Sequence, residues 1–312
     1  MSTAPAAMIG QTAAVAPGTQ FDEDRLARYL GGFIPGMTGG IALHQFQGGQ
    51  SNPTFLLETS AGKLVLRRKP AGVLLASAHA VDREYRITRT LFEAGLPVPE
   101  PLVLCEDIDV IGTMFYVMRH VPGRAFWDPQ MPGLSREDRA AIYDSANAAL
   151  AQLHRVDFAA LGLGDYGRPG NYFARQVARW SRQYDASRTR DIPEMDRLIE
   201  WLPGAIPDTG ERTTIIHGDY SFHNLLIHPT EPRVAAMIDW ELSTLGDPLG
   251  DLTYHMMEWT RPEGVDVRGT LGAPLPLLQR GAQAAPGHLQ PEVDQARDAA
   301  RRGRLRARVV VV

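Results

Sequence analysis

The side chains best suited to chemistry gather in two late stretches, His217-Gly218-Asp219-Tyr220-Ser221-Phe222-His223-Asn224 and Ile238-Asp239-Trp240-Glu241. They bring three oxygen-bearing groups close to the ends of short β-like runs. A hard cation such as Mg²⁺ takes a few carboxylate or amide oxygens and leaves the rest of its shell to water and phosphate. Asn224 and Asp239 suit that role. Asp219, five residues before Asn224, would lie beside the metal without binding it, placed to orient and deprotonate an acceptor hydroxyl. Taken singly, each has an ordinary explanation, because Asp and Asn favour turns. As one spaced set they point to phosphoryl transfer. A rival assignment makes Asp219, His223, His228 and Asp239 the ligands of a two-metal hydrolase. It is short of ligands, since His44, His79, His120, His154 and His288 are scattered without metal-ligand spacing. His217, His223 and His255 read as scaffold rather than proton carriers.

These residues need elements to hold them. Runs rich in β-formers at 41–46, 54–59 and 63–69 are separated by Gln47-Gly48-Gly49-Gln50-Ser51-Asn52-Pro53 and Ser60-Ala61-Gly62, which predicts a three-stranded meander. Val81, Tyr85, Thr88, Leu91 and Phe92 recur at helical spacing and stop at Gly95 and Pro97. Two more apolar runs, 102–105 and 114–121, complete a β-β-β-α-β-β order. After Pro122 the pattern turns helical, and Ser135 with Asp138 three residues on starts a helix carrying Ile142, Ala146, Ala149, Leu150 and Leu153 on one face. Short β-like runs return at 213–217, 225–228 and 234–240. The expected organisation is a loose tail over 1–20, one lobe over 21–121, a second over 122–260, and an atypical segment over 261–312.

Composition narrows the function. The 312 residues hold 32 basic and 36 acidic side chains, a net charge of −4, so there is no basic excess to neutralise a nucleic-acid backbone. The chain is too polar and too interrupted for a membrane protein, and residues 1–20 carry no targeting pattern. Cys105 stands alone inside an apolar run, which excludes an intramolecular disulfide and a multi-thiolate zinc site and fits a reducing, cytoplasmic compartment. None of the 53 residues after Trp259 is aromatic, and the nine Arg and five acidic residues from Arg261 onward give that segment a net +4. Such a sequence builds no ordinary core and looks like a shifted reading frame or a disordered tail.

The motif His-Gly-Asp-x-x-x-x-Asn (217–224) with Ile238-Asp239-Trp240-Glu241 resembles the aminoglycoside phosphotransferase and choline kinase family, small-molecule kinases with a protein-kinase-like fold. Asp247-Pro248-Leu249-Gly250-Asp251-Leu252 and Tyr254-His255-Met256-Met257 extend the resemblance toward the kinase-like domains associated with acyl-CoA dehydrogenases and their bacterial homologues. It implies an α+β fold of two lobes, a small N-terminal lobe with an antiparallel sheet and a larger, mainly helical C-terminal lobe. It also implies ATP and Mg²⁺ as cofactors and a small-molecule hydroxyl acceptor, with hydroxyacyl thioesters of coenzyme A suggested by the nearest resemblance. By the same likeness Gly48, Gly49, Ser51 and Asn52 match the turn that approaches the phosphates, where glycine leaves room for backbone N–H groups. Arg67 stands where protein kinases place a Lys on the α and β phosphates, and the two are not interchangeable. Glu84 matches the carboxylate paired with that cation. The stretch 118–121, with Met118 and His120, matches the hinge that holds adenine. Asp219 takes the catalytic position, and Asn224 and Asp239 the metal positions. The aromatic-free tail opens a second reading, a nucleotide-binding remnant with an incomplete acceptor pocket.

Overall fold

The computed structural model describes residues 12–16, 18–47, 52–70, 80–206, 208, 210 and 212–257. They form two compact units. The first contains the described residues up to Ser145 together with Phe222–Glu241, and the second contains the described residues of 146–221 and 242–257. By compactness the division falls inside a helix, not at Pro122. Backbone bonds link these segments: Arg124 N–H donates to the Ile227 carbonyl at 2.7 Å and Ile227 N–H returns to the Arg124 carbonyl at 2.8 Å, which joins the chain beyond 122 to the 222–241 segment, and Met237 N–H donates to the Pro97 carbonyl at 2.7 Å, which joins that segment to the first unit.

In the first unit β1 (Thr12–Ala13), β2 (Ala42–Phe46), β3 (Thr54–Thr59), β4 (Gly62–Arg68), β5 (Pro101–Cys105) and β6 (Phe115–Arg119) form one antiparallel sheet in the order β1-β2-β3-β4-β6-β5. The expected meander and the two later runs are all present. Residues 12–16 are not loose: Thr12 pairs with Phe46, and Gln45 Oε1 accepts the Ala16 N–H at 3.0 Å, so the free edge of β2 gains a partner. Helix α1 (Glu23–Gly31) starts at Asp22, whose side chain accepts the Arg25 N–H, and buries Leu26 and Leu30, four residues apart, on the sheet. They join Phe55, Leu57, Leu64, Leu66, Phe115 and Val117 in the main core. Strand alternation turns Val65 and Arg67 to the opposite face from Leu64 and Leu66. There Arg67 pairs in register with Tyr116, and Val65 with Met118. Helix α2 (Val81–Glu93) buries Val81, Glu84, Ile87, Thr88 and Leu91, and Gly95 beyond it takes a left-handed φ of 79°. A short hairpin of β8 (Leu225–Ile227) and β9 (Val234–Met237) completes the unit.

Helix α3 (Arg136–His154) begins as expected, with Ser135 Oγ accepting the Asp138 N–H at 3.0 Å. The second unit holds its end, α4 (Tyr172–Ser187), α5 (Pro193–Ala205), the antiparallel pair β7 (Thr214–Ile216) and β10 (Thr244–Gly246), and α6 (Leu249–Met257). Among the described residues no helix is long and apolar enough to cross a membrane. The segment 261–312, with its suspected frame shift, lies outside the described residues.

Candidate functional site

Glu84 is a carboxylate on the apolar stripe of α2, only 1% exposed, and such a group is tolerated only if it is paired. Three neighbours hold it. Asn52 Nδ2 donates to Oε1 at 2.8 Å, the Tyr116 hydroxyl donates to Oε2 at 3.1 Å, and Arg67 Nε forms an ion pair with Oε2 at 3.2 Å. Arg67 is itself 8% exposed and extends its far nitrogen Nη2 to Asp239 Oδ1 at 2.6 Å and to Glu241 Oε2 at 3.3 Å. The fork therefore joins a helix, a strand and the turn after β9, which a single ammonium could not do through separate nitrogens.

The two central groups titrate unequally, for a geometric reason. Burial alone would lower the Arg67 pKa, but the Glu84 and Asp239 carboxylates outweigh it and hold the guanidinium charged. Burial pushes Glu84 up to about 7 against the lowering pull of Arg67, and Asp239 and Glu241 add to the rise. Arg67 has three carboxylates to stabilise its charge, whereas Glu84 has one cation and almost no solvent. Burial also raises the Tyr116 hydroxyl well above its usual range, with Glu84 adding to the effect, so it stays a donor.

Asp239 takes a left-handed φ of 66°, a conformation Asp accepts more readily than most residues. Buried Trp240 steadies the turn by donating Nε1–H to the Met237 carbonyl at 3.2 Å. Ile238 N–H donates to the Asn224 carbonyl at 3.0 Å, which brings the backbone of Asn224 against that turn. Asn224 ends a 3-10 turn (Phe222–Asn224) and is buried. Thus Asn52, Arg67, Glu84 and Asp239 come together, with Asn224 beside Asp239 along the backbone. Asn52 spends its amide on Glu84. Gly48, Gly49 and Ser51 lie outside the described residues. Met118 shares the face of Arg67 and Tyr116, while the His120 N–H donates to the Lys63 carbonyl at 3.2 Å and so serves the sheet.

Asp219 belongs to the second unit, on the loop after β7. Gly218 has φ 84°, and a Cβ there would lie 2.5 Å from the Leu242 carbonyl oxygen, so only glycine fits. Asp251, in the first turn of α6 and 1% exposed, fastens this loop: its Oδ2 accepts the His217 N–H at 2.7 Å and its Oδ1 the Gly218 N–H at 2.8 Å. His154, at the end of α3, meets the same Oδ2 with Nε2 at 3.1 Å. His217 Nδ1 accepts the Asp219 N–H at 3.3 Å, a scaffold role that requires the imidazole to be unprotonated at that nitrogen. Burial lowers His255 to about 4, so it packs as a neutral ring against Tyr220. No spacing in the sequence points to Tyr116 or His154. Only strand register reveals the first and a contact across 97 positions the second.

The two-metal assignment finds no support here. His223 stacks on Trp127, His228 Nδ1 accepts the Glu231 N–H at 3.2 Å, and among the described residues no group of three or more His, Cys, Asp or Glu is arranged to hold a metal.

The chain is 47% identical over 267 residues to acyl-CoA dehydrogenase family member 11 of Gallus gallus, covering 82% of this chain and 34% of that one. The chain thus spans about a third of the length of that relative. A crystal structure from Ralstonia eutropha JMP134, of a candidate aminoglycoside phosphotransferase, is 45% identical, covers 85% of this chain and 80% of its own, and superposes with a TM-score of 0.73. The streptomycin-ATP-APH(2″)-IIa ternary complex, 16% identical over 90% of this chain and 87% of its own, shares the α+β, protein-kinase-like fold at a TM-score of 0.60. The model of the phosphotransferase enzyme family matches residues 42–305, reaching into the aromatic-free segment, and the chain belongs to that family.

Proposed function

We propose that this protein transfers the γ-phosphate of ATP to a hydroxyl of a small molecule. Asp219 is the general base, Arg67 steadies the α and β phosphates with Glu84 behind it, Gly48, Gly49, Ser51 and Asn52 approach the phosphates, and the 118–121 stretch borders adenine. The observation that carries the reading is the Arg67 fork, which links Glu84 to Asp239 at 3.2 and 2.6 Å. Glu84 takes one side of that guanidinium, and Asp239 and Glu241 share its far nitrogen while remaining partly open to solvent. The donor set fits Mg²⁺: Asp239 supplies a carboxylate oxygen and Asn224 an amide oxygen, both hard ligands, with shell left for phosphate and water. When bound, the ion would neutralise phosphate charge. The protein's own part is positioning: Asp251 and His217 aim the loop that carries Asp219, and Arg67 places positive charge where phosphate oxygens arrive.

The resemblance to acyl-CoA dehydrogenase family proteins supports a hydroxyacyl thioester of coenzyme A as acceptor, and the single buried Cys105 supports a reducing, cytoplasmic setting. The test is Mg²⁺-dependent ADP release across hydroxyacyl-CoA, amino-alcohol, sugar and aminoglycoside acceptors, with Asp219→Asn as control. Acceptor-stimulated ADP release lost in the control supports the kinase. Nucleotide binding without turnover would instead identify a catalytically impaired remnant, and phosphate-ester hydrolysis without nucleotide a hydrolase.

A further inference from the structure

Trp127 is 42% exposed, yet its indole is stacked on a neighbouring ring. It lies nearly parallel to the His223 imidazole, with ring centroids 4.7 Å apart and planes inclined by 12°. The segment that carries it is stitched to the chain around Asn224: besides the Arg124–Ile227 pair, Phe126 N–H donates to the Phe222 carbonyl at 3.3 Å. Gly123 permits the approach, since a Cβ there would lie 2.8 Å from the Leu226 Cβ. Arg124 is fixed in turn, with its Nε donating to the His228 carbonyl at 3.2 Å and its guanidinium 5.8 Å from the centre of the Phe126 ring. A scattered exposed aromatic needs no explanation, but this one is stacked on His223, which immediately precedes Asn224 in the same 3-10 turn. An indole stacked on one side is a platform for another flat ring.

We propose that Trp127, seated on His223, determines acceptor specificity. Its indole stacks a planar ring in the non-reacting part of the acceptor, which favours acceptors that carry such a ring over ring-free ones. The inference rests on the phosphotransfer reading above, because it takes Asn224 to mark where the phosphate is delivered.

The test uses coenzyme A as the ring-bearing probe and kanamycin as the comparator without a planar ring. Calorimetry is run on the full chain with its nucleotide site saturated by Mg-ADP. Coenzyme A is expected to bind the wild type, and Trp127→Ala to weaken it roughly five- to a hundred-fold, the range that aromatic stacking supplies. Trp127→Phe should keep most of the affinity, and Mg-ADP should bind all three proteins equally, which also shows that the variants are folded. Equal coenzyme A affinity in wild type and Trp127→Ala would overturn the assignment. So would the absence of coenzyme A binding to the wild-type Mg-ADP complex, or kanamycin binding more tightly than coenzyme A. Failure of Mg-ADP to bind the wild type would overturn the phosphotransfer reading, and this inference with it.

Discussion

Replacing Arg67 with Met removes the one guanidinium from among Glu84, Asp239 and Glu241 while keeping most of the apolar stem. Breaking a buried pair by deleting one partner costs about 3–5 kcal/mol, because the remaining charge stays desolvated. Most of that cost sits on Glu84, which is 1% exposed, since Asp239 and Glu241 reach solvent. The penalty must therefore depend on pH. Glu84 is raised from 4.5 to about 7 in the folded protein, so the folded state binds more protons than the unfolded one across that window. Stability then falls as pH rises through it, by at most about 1.4 kcal/mol per unit. Removing Arg67 removes the pull that lowers the Glu84 pKa, so the variant keeps losing stability at pH values where the wild type has levelled off. Urea denaturation followed by circular dichroism should show a penalty of about 3–5 kcal/mol at pH 8 and a clearly smaller one at pH 5. Arg67→Lys should recover part of the loss at pH 8, because one ammonium can replace the Glu84 contact or the Asp239 contact but not both. An equal penalty at the two pH values, or less than about 1 kcal/mol at pH 8, would refute the claim that Arg67 sustains a buried, ionised Glu84.

Asp219→Asn should lower acceptor-dependent turnover by roughly 10²- to 10⁴-fold, the usual worth of a general base, while calorimetry finds Mg-ADP affinity unchanged. Asp251→Asn turns an amide N–H toward a backbone N–H, so urea denaturation should register a loss of about 1.5–3 kcal/mol and kinetics a fall in kcat with the KM for ATP preserved. Gly218→Ala combines a left-handed φ of 84° with a Cβ 2.5 Å from a carbonyl oxygen, and a thermal or urea midpoint should record more than about 2 kcal/mol of destabilisation.

Local order was legible in the residues because its signals are local. Alternation and turn chemistry between 41 and 69 marked β2, β3 and β4, the spacing from Val81 to Phe92 marked α2, and Ser135 with Asp138 marked the start of α3. The spacing of Asp219, Asn224 and Asp239 matched the protein-kinase pattern for phosphoryl transfer, which pointed to the phosphotransferase family to which the chain belongs. Antiparallel register decided what no spacing could, setting Tyr116 opposite Arg67 and so giving Glu84 a hydroxyl donor. Packing put His154 against Asp251 and brought Asn52, which the resemblance places in the phosphate turn, into contact with Glu84. A hydrogen bond depends on two side chains meeting, and chains 32 or 97 positions apart meet only after the backbone has folded. The kinds of groups available for chemistry are therefore a property of this sequence, and the choice of which group steadies which belongs to its tertiary structure.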